Sequence, residues 1–225
     1  MLGFQTRHAL ALALHESERT GMQIEPFSKL HPHMDIADGY AIQREWVRMK
    51  VAQGRVVKGH KIGLASRAMQ ISSQITEPDH GVLLDDMFFR AGSDIPVSRF
   101  ILPRVEMELA FILKASLRGP DVTLFDVPNA VDYVVPALET IDARIEQLDH
   151  LSKAPRKVFD TIADNAANAC IVMGGRPVKV DSIDLRWVER AHAQGKYRWR
   201  RFDIAPSRFD AVRSVSGAEG RGCRF

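Results

Sequence analysis

The chain carries the stretch Pro103-Arg104-Val105-Glu106-Met107-Glu108-Leu109-Ala110-Phe111-Ile112-Leu113, in which two carboxylates interrupt an apolar run. Side chains alternate between faces along a strand, so Glu106 and Glu108 are predicted to point the same way. Neighbouring carboxylates repel each other, and burying them without a cation costs free energy. The pattern favours a site for a hard divalent cation such as Mg²⁺, which binds oxygen ligands. An exposed acidic strand would show the same spacing.

The composition is that of an ordinary globular protein. Apolar residues make up 45% and charged residues 26% of the 225 residues, and a chain of this length can bury the core of one large or two small domains. The sequence has no apolar run approaching the roughly 18 to 20 residues of a membrane helix, nor the layout of a signal peptide. We therefore expect a cytoplasmic protein with no membrane partner. Cys170 and Cys223 lack metal-ligand spacing and are predicted to be reduced thiols.

The charge is distributed unevenly along the chain. Residues 187–225 hold 9 Lys/Arg and 4 Asp/Glu, a balance of +5, and the remaining 22 basic and 24 acidic residues give −2 for residues 1–186. The basic end shows no sustained periodicity of 2 or 3.6 residues. It is therefore predicted to be a disordered or non-native ending, and a nucleic-acid partner is not expected.

Short helices and strands alternate without a regular βαβ order, which indicates an α+β architecture. Periodicity predicts helices over residues 2–19, 35–53 and 159–169, and strands over 56–64, 100–113, 134–145 and 170–173. Residues 77–81 have the composition of a turn. We expect three regions: a helical segment over residues 1–54, a metal-binding domain over 55–187 and a divergent basic tail over 188–225.

Five charged side chains are candidates for the chemistry. Glu139 stands alone in the predicted apolar strand 134–145, so Glu106, Glu108 and Glu139 together could bind one octahedral Mg²⁺ or Mn²⁺. Lys61 lies between two glycines, where it could carry a proton or face developing negative charge, and Asp79 is its candidate partner. Each has an ordinary alternative: a surface lysine, a turn-forming aspartate and half of a salt bridge.

Several motifs, in the same order along the chain, resemble the hydratase/decarboxylase branch of the fumarylacetoacetate hydrolase superfamily. They are Gly59-His60-Lys61-Ile62-Gly63-Leu64, Glu77-Pro78-Asp79-His80-Gly81, Arg104-Val105-Glu106-Met107-Glu108, Pro136-Ala137-Leu138-Glu139-Thr140-Ile141-Asp142-Ala143-Arg144 and Asp164-Asn165-Ala166-Ala167-Asn168-Ala169. The resemblance covers residues 36–187. It implies a mixed β-barrel-like fold of the superfamily's C-terminal domain type with N-terminal helices, and a homo-oligomer.

The resemblance also implies the chemistry. Glu106, Glu108 and Glu139 would hold Mg²⁺ or Mn²⁺, and the small-molecule substrate would be an unsaturated seven-carbon 2-oxo diacid of homoprotocatechuate catabolism, to which water is added. Lys61 and Asp79 would move protons. Asn165 would help to hold the C1 carboxylate, and Arg67 or Arg104 the distal carboxylate. Decarboxylation of a six-carbon 2-oxo diacid and hydration of 2-hydroxypenta-2,4-dienoate remain alternatives.

The likeness stops after Trp187, where the family continues with a His-Pro segment and further strands. We interpret the residues from about 188 onward as an out-of-frame or truncated ending, which would leave the barrel incomplete. A non-catalytic remnant is therefore a further alternative function.

Overall fold

A computed structural model describes residues 1–185 and three strand dipeptides, Arg190–Ala191, Arg201–Phe202 and Cys223–Arg224. The helices are α1 (Phe4–Thr20), α2 (Phe27–Leu30), α3 (Ile36–Ala52), α4 (Arg67–Ser72), α5 (Asp126–Ala130) and α6 (Val158–Ala163). The longer strands are β1 (Val57–Gly63), β2 (Asp79–Leu84), β3 (Phe88–Arg90), β5 (Arg104–Leu113), β6 (Val131–Ile141) and β7 (Asn168–Met173). The two-residue strands are β4 (Asp94–Ile95) and the three dipeptides, β8 to β10.

The central sheet has four strands in the order β3-β7-β6-β5. β6 pairs antiparallel with both β5 and β7, whereas β3 runs parallel to β7. The β5–β6 register places Glu106 directly opposite Glu139. Residues directly opposite each other in an antiparallel ladder share a face of the sheet, so the pairing brings the two glutamates to one face, as the sequence predicts.

A separate antiparallel hairpin of β1 and β2 lies over the sheet. Its register sets Lys61 opposite Gly81, and Gly63 opposite Asp79. Leu83 of β2 packs against Ala137 and Ile171 of the sheet, so the hairpin covers part of the face that carries the glutamates. The turn predicted over residues 77–81 was wrong at its end, because Asp79 to Gly81 pair with β1 and the ladder overrides the local composition.

The N-terminal helices share one core with later parts of the chain. Asp35 caps α3 by accepting a 2.8 Å hydrogen bond from the Asp38 amide. Trp46 of α3 and Leu14 of α1 are fully buried in a cluster that also includes Ile145 and Ala163. Burial of these side chains holds the helices against the segments that follow β6.

The helix predicted over residues 159–169 was wrong in its second half. α6 ends at Ala163, and Asn165, Ala166 and Ala167 have φ values of 52°, 52° and 56°. Left-handed backbone costs an L-residue roughly 1–2 kcal/mol, so packing and hydrogen bonds must hold this left-handed turn. The other predicted elements are present with shifted ends; for example, β6 spans Val131–Ile141 rather than 134–145.

The presence of both helices and sheets confirms the predicted α+β class. The four-stranded sheet does not close into a barrel within residues 1–185. In the same part of the chain, no helix has both the length and the apolar character needed to cross a membrane. The predicted disordered tail lies outside the described residues, apart from the dipeptides, and the predicted division into three regions stays a prediction.

Candidate active site

Three glutamates meet on the sheet face that the hairpin covers. One carboxylate oxygen from each of Glu106, Glu108 and Glu139 lies within 4.8 Å of the others. Glu106 and Glu108 are half-buried, and Glu139 is 5% exposed. Their common face follows from two positions on β5 and the register with β6. The sheet thus gathers three acidic groups, of which Glu139 is the most buried.

The hairpin brings Lys61 and Asp79 to the glutamates. Lys61 Nζ lies 3.3 Å from Glu139 Oε1, an ion pair in which both side chains are largely buried. Asp79 is 3% exposed, and its Oδ1 has no hydrogen-bond partner among the described residues. Gly63 makes the approach possible: a methyl group there would collide with the Asp79 carboxylate and lie 3.6 Å from Lys61 Nζ. The five predicted side chains therefore form one cluster.

Burial dominates the electrostatics of the cluster. It raises the pKa of Glu139 to about 7; Lys61 opposes this rise, and the charges of Glu106 and Glu108 add to it. Burial also raises the pKa of Glu106, against Lys61 and Arg104, and that of Asp79, against Lys61. The lysine therefore does not offset the cost of keeping these carboxylates ionised and buried. The cluster sets four carboxyl groups against one lysine.

Glu106, Glu108 and Glu139, here called the acidic trio, fit a hard divalent cation. Its donors are all carboxylate oxygens, as Mg²⁺ and Mn²⁺ prefer, and their mutual distances let one ion contact all three. A second group, formed by Glu25, Asp149 and His150, differs because a lysine lies between its two carboxylates. Lys29 Nζ lies 2.8 Å from Glu25 and 2.7 Å from Asp149, so a lysine already neutralises that group.

The structure places the three predicted substrate-binding residues differently from one another. Arg67 is exposed at the start of α4. Arg104 lies on β5 two residues before Glu106, and its Nη2 donates to Gln147 Oε1 at 2.8 Å. Asn165 is 1% exposed; its Nδ2 donates to Val82 O at 2.9 Å, and its Oδ1 accepts from Val82 N at 2.7 Å. Their contacts with a substrate stay predictions.

The Arg144–Asp164 pair has no role in the sequence-based predictions; it joins the segment that follows β6 to the end of α6. Arg144 is 3% exposed and Asp164 is fully buried. The Asp164 carboxylate accepts from the Arg144 amide at 2.8 Å and from its guanidinium. Both residues stand in the motifs quoted above, and a charged pair flanking buried strands was the available signal.

Comparisons with known proteins show which family the chain resembles. The chain is 60% identical over 188 residues to the 2-oxo-hept-4-ene-1,7-dioate hydratase of Escherichia coli, and this match covers 84% of the chain and 70% of that protein. It is 38% identical to a 2-keto-4-pentenoate hydratase of Paraburkholderia xenovorans, over 82% of the chain and 66% of the relative. No protein-family model matches the chain.

A solved structure also resembles the chain. The 4-oxalocrotonate decarboxylase of Pseudomonas putida G7, complexed with magnesium and adipate, superposes with a TM-score of 0.78 at 31% identity. This likeness covers 86% of the chain and 73% of the decarboxylase. The chain belongs to the family of these 2-oxo acid hydratases and decarboxylases, as the sequence resemblance implied.

Proposed function

We propose that the chain is a Mg²⁺- or Mn²⁺-dependent hydro-lyase that adds water to 2-oxohept-3-ene-1,7-dioate and forms 4-hydroxy-2-oxoheptane-1,7-dioate. The observation that carries the proposal is the cluster of Glu106, Glu108 and Glu139 with Lys61 and Asp79 beside it. The Escherichia coli relative supports the seven-carbon diacid, since its name specifies a heptenedioate and it is 60% identical.

The acidic trio would hold the ion. A divalent ion there supplies Lewis-acid polarisation of the substrate's 2-oxo group. Glu106 and Glu108 enter from β5 and Glu139 from β6, so the register of one strand pair fixes the donor set. The ion would also offset the repulsion between Glu106 and Glu139, which stand directly opposite each other in the ladder.

Asp79 and Lys61 would move protons on the substrate. In the 2-hydroxy-2,4-diene tautomer, loss of the 2-hydroxyl proton and gain of one at C5 gives the conjugated 2-oxo-3-ene. Hydroxide then adds at C4 and a proton at C3, so the net change is the gain of one water. Asp79 Oδ1 is suited to accept a proton because it is buried without a hydrogen-bond partner among the described residues.

The remaining predictions belong to the same proposal. Arg104 lies near enough to Glu106 for their charges to interact, which makes it a candidate for the distal carboxylate; Arg67 is the other. The C-terminal-domain fold type, a homo-oligomeric state and a cytoplasmic location, inferred from the sequence, stay predictions. The disorder expected of the basic tail, residues 188–225, also stays a prediction.

The proposed activity is tested with the full chain. Loss of the 2-hydroxyhepta-2,4-diene-1,7-dioate absorbance would be followed with Mg²⁺ and with EDTA, and the product identified by mass. We expect a Mg²⁺-dependent gain of one water. Glu106→Ala is the control that removes one ligand. Release of CO₂ would assign the decarboxylase reaction instead, and no turnover by folded wild-type protein would favour the non-catalytic remnant.

Metal binding has its own readout. We expect Mg²⁺ to raise the melting temperature of the wild-type chain, since a ligand bound to the native state at 100 times its Kd contributes about 2.7 kcal/mol. Glu139→Gln should remove most of this increase. The matched control is Asp149→Asn, in the acidic group that already contains Lys29. Equal Mg²⁺ stabilisation of the wild type and Glu139→Gln would contradict the assignment of the trio.

A further inference from the structure

The left-handed turn Asn165–Ala167 touches the hairpin that carries Lys61 and Asp79. The Asn165 side chain pairs with both backbone groups of Val82, donating to its carbonyl and accepting from its amide. Asn168 Nδ2 adds a longer contact of 3.4 Å to the same carbonyl. An amide side chain thus engages β2 as another strand would, three residues from Asp79.

The turn also sets how closely β2 approaches. A methyl group on Gly81 would lie 2.5 Å from the carbonyl oxygen of Asn165, so the backbone of β2 rests directly on the turn. Gly81 is the ladder partner of Lys61. The contact at Gly81 and Val82 therefore fixes both strands of the hairpin relative to the turn.

The other side of the turn is attached to the segment that follows β6. Ala167 O accepts from the Asp142 amide at 2.7 Å. Arg144 Nη2 donates to Asp164 O at 2.7 Å and to Asn168 O at 3.3 Å. These bonds tie the turn to the strand that carries Glu139. The turn is a bridge between the two parts of the candidate site.

We propose that Asn165 is a positioning residue: through Val82 it holds β2 so that Asp79 and Lys61 face the acidic trio. The inference rests on the proposed function and gives Asn165 a role other than substrate binding. It explains why three L-residues keep left-handed backbone at this place, since an ordinary helical continuation would not bring Asn165 to β2. The expected consequence is an effect on turnover rather than on affinity.

The decisive test compares Asn165→Ala with the wild-type chain in steady-state kinetics on the dienol substrate with saturating Mg²⁺. We expect kcat to fall at least tenfold while KM and the Mn²⁺ affinity, measured by electron paramagnetic resonance, stay within twofold. A large rise in KM with unchanged kcat would assign Asn165 to the substrate carboxylate and overturn the proposal. Full activity in a variant with a lowered melting temperature would reduce the role to stability and also overturn it.

Three further variants test the same role if Asn165→Ala folds poorly. Asn165→Asp keeps the acceptor for the Val82 amide and loses the donor, so its kcat should lie between wild type and Asn165→Ala. Gly81→Ala should lower kcat by pushing β2 off the turn. Ala166→Gly is the matched control in the same turn, because glycine adopts positive φ readily, and it should keep wild-type kinetics.

Amide hydrogen exchange separates this proposal from the proposed function. In Asn165→Ala, the Val82 amide and the neighbouring β1 and β2 amides should exchange faster, while those of β5 and β6 should not change. If the wild-type chain converts no 2-oxo diacid, the proposed function fails, and exchange still reports on the hairpin. Unchanged exchange in β1 and β2 would overturn the positioning role.

Discussion

Single atoms decide whether Lys61 and Asp79 can lie side by side. Gly63 is opposite Asp79 in the hairpin, and the space a side chain would fill there holds the Asp79 carboxylate and, slightly farther away, the Lys61 ammonium. Gly59 is also on β1, but a methyl group there would meet Leu83 Cδ1 at an ordinary 3.7 Å. The two glycines differ in what surrounds them and not in the strand they occupy.

Gly63→Ala should therefore lower turnover by about 10²-fold, the cost associated with a displacement of about 1 Å in an active site. Steady-state kinetics on the proposed substrate checks the change. Gly59→Ala is the matched control and should keep most of the activity. Equal activities in the two variants would mean that the position of Asp79 does not matter to the reaction.

The acidic trio was predictable at this scale because it depends on two simple facts. Glu106 and Glu108 alternate correctly on one strand, and Glu139 stands in another apolar strand. The contacts of Asn165 were not predictable in the same way. They depend on left-handed backbone at three residues, two of which are alanines, the strongest helix formers.

At the scale of elements, α1 and α3 are joined by a contact between His8 and Glu45. Glu45 of α3 accepts from Arg48 Nε at 2.9 Å and lies 2.6 Å from His8 Nδ1 of α1. Arg48 and then His8 lower the pKa of Glu45 from its ordinary 4.5 to about 2. Glu45 is 8% exposed, whereas Arg48 and His8 reach solvent, so solvent screens the contact in part.

This shift predicts how stability depends on pH. A folded-state pKa below the unfolded value contributes stability that is present above about 4.5 and lost as the pH falls towards about 2. Glu45→Gln should remove about 1 kcal/mol at pH 7 and flatten this part of the acid unfolding curve. Urea titrations between pH 2 and 7 would measure it. Glu16→Gln is the control, because its pair with Arg19 is exposed; an equal effect there would contradict the argument.

Element types were more predictable than their ends. Helices α1 and α3 and strands β1, β5 and β7 match the periodicity, since local patterns specify them. The turn predicted at 77–81 failed at its end because pairing with β1 makes the backbone extended there. The helix predicted to residue 169 failed because hydrogen bonds from distant residues such as Arg144 hold the backbone in another conformation after α6. Long-range pairing is the part of this fold that local composition does not encode.

At the scale of the molecule, the Arg144–Asp164 pair connects the segment after β6 with helices α3 and α6. Arg144 lies after β6, its guanidinium packs 5.1 Å from the Trp46 ring centroid of α3, and Asp164 follows α6. Burial opposes ionisation of the arginine, but Asp164 and Glu18 outweigh that cost and raise the pKa of Arg144. Losing one partner would leave the other charge buried without its hydrogen-bonded partner.

Arg144→Met should destabilise the fold by about 3–5 kcal/mol, as expected when one member of a buried pair is removed. Asp164→Asn alone should also destabilise it. The double variant should lose less than the sum of the two single changes, because the two opposite charges of the pair are then removed together. Denaturant melts of the four proteins give the coupling energy, and strict additivity would contradict a direct pair.

The hydrogen bonds between Asn165 and Val82 also have a consequence for synthesis on the ribosome. The two residues are 83 positions apart, so the hairpin emerges long before the turn that holds it. An isolated two-stranded hairpin is marginal in water, and this one must wait for most of the domain to be translated. The contacts of Asn165 with Val82 would therefore form late, only after Asp164 and the residues that follow it have been synthesised.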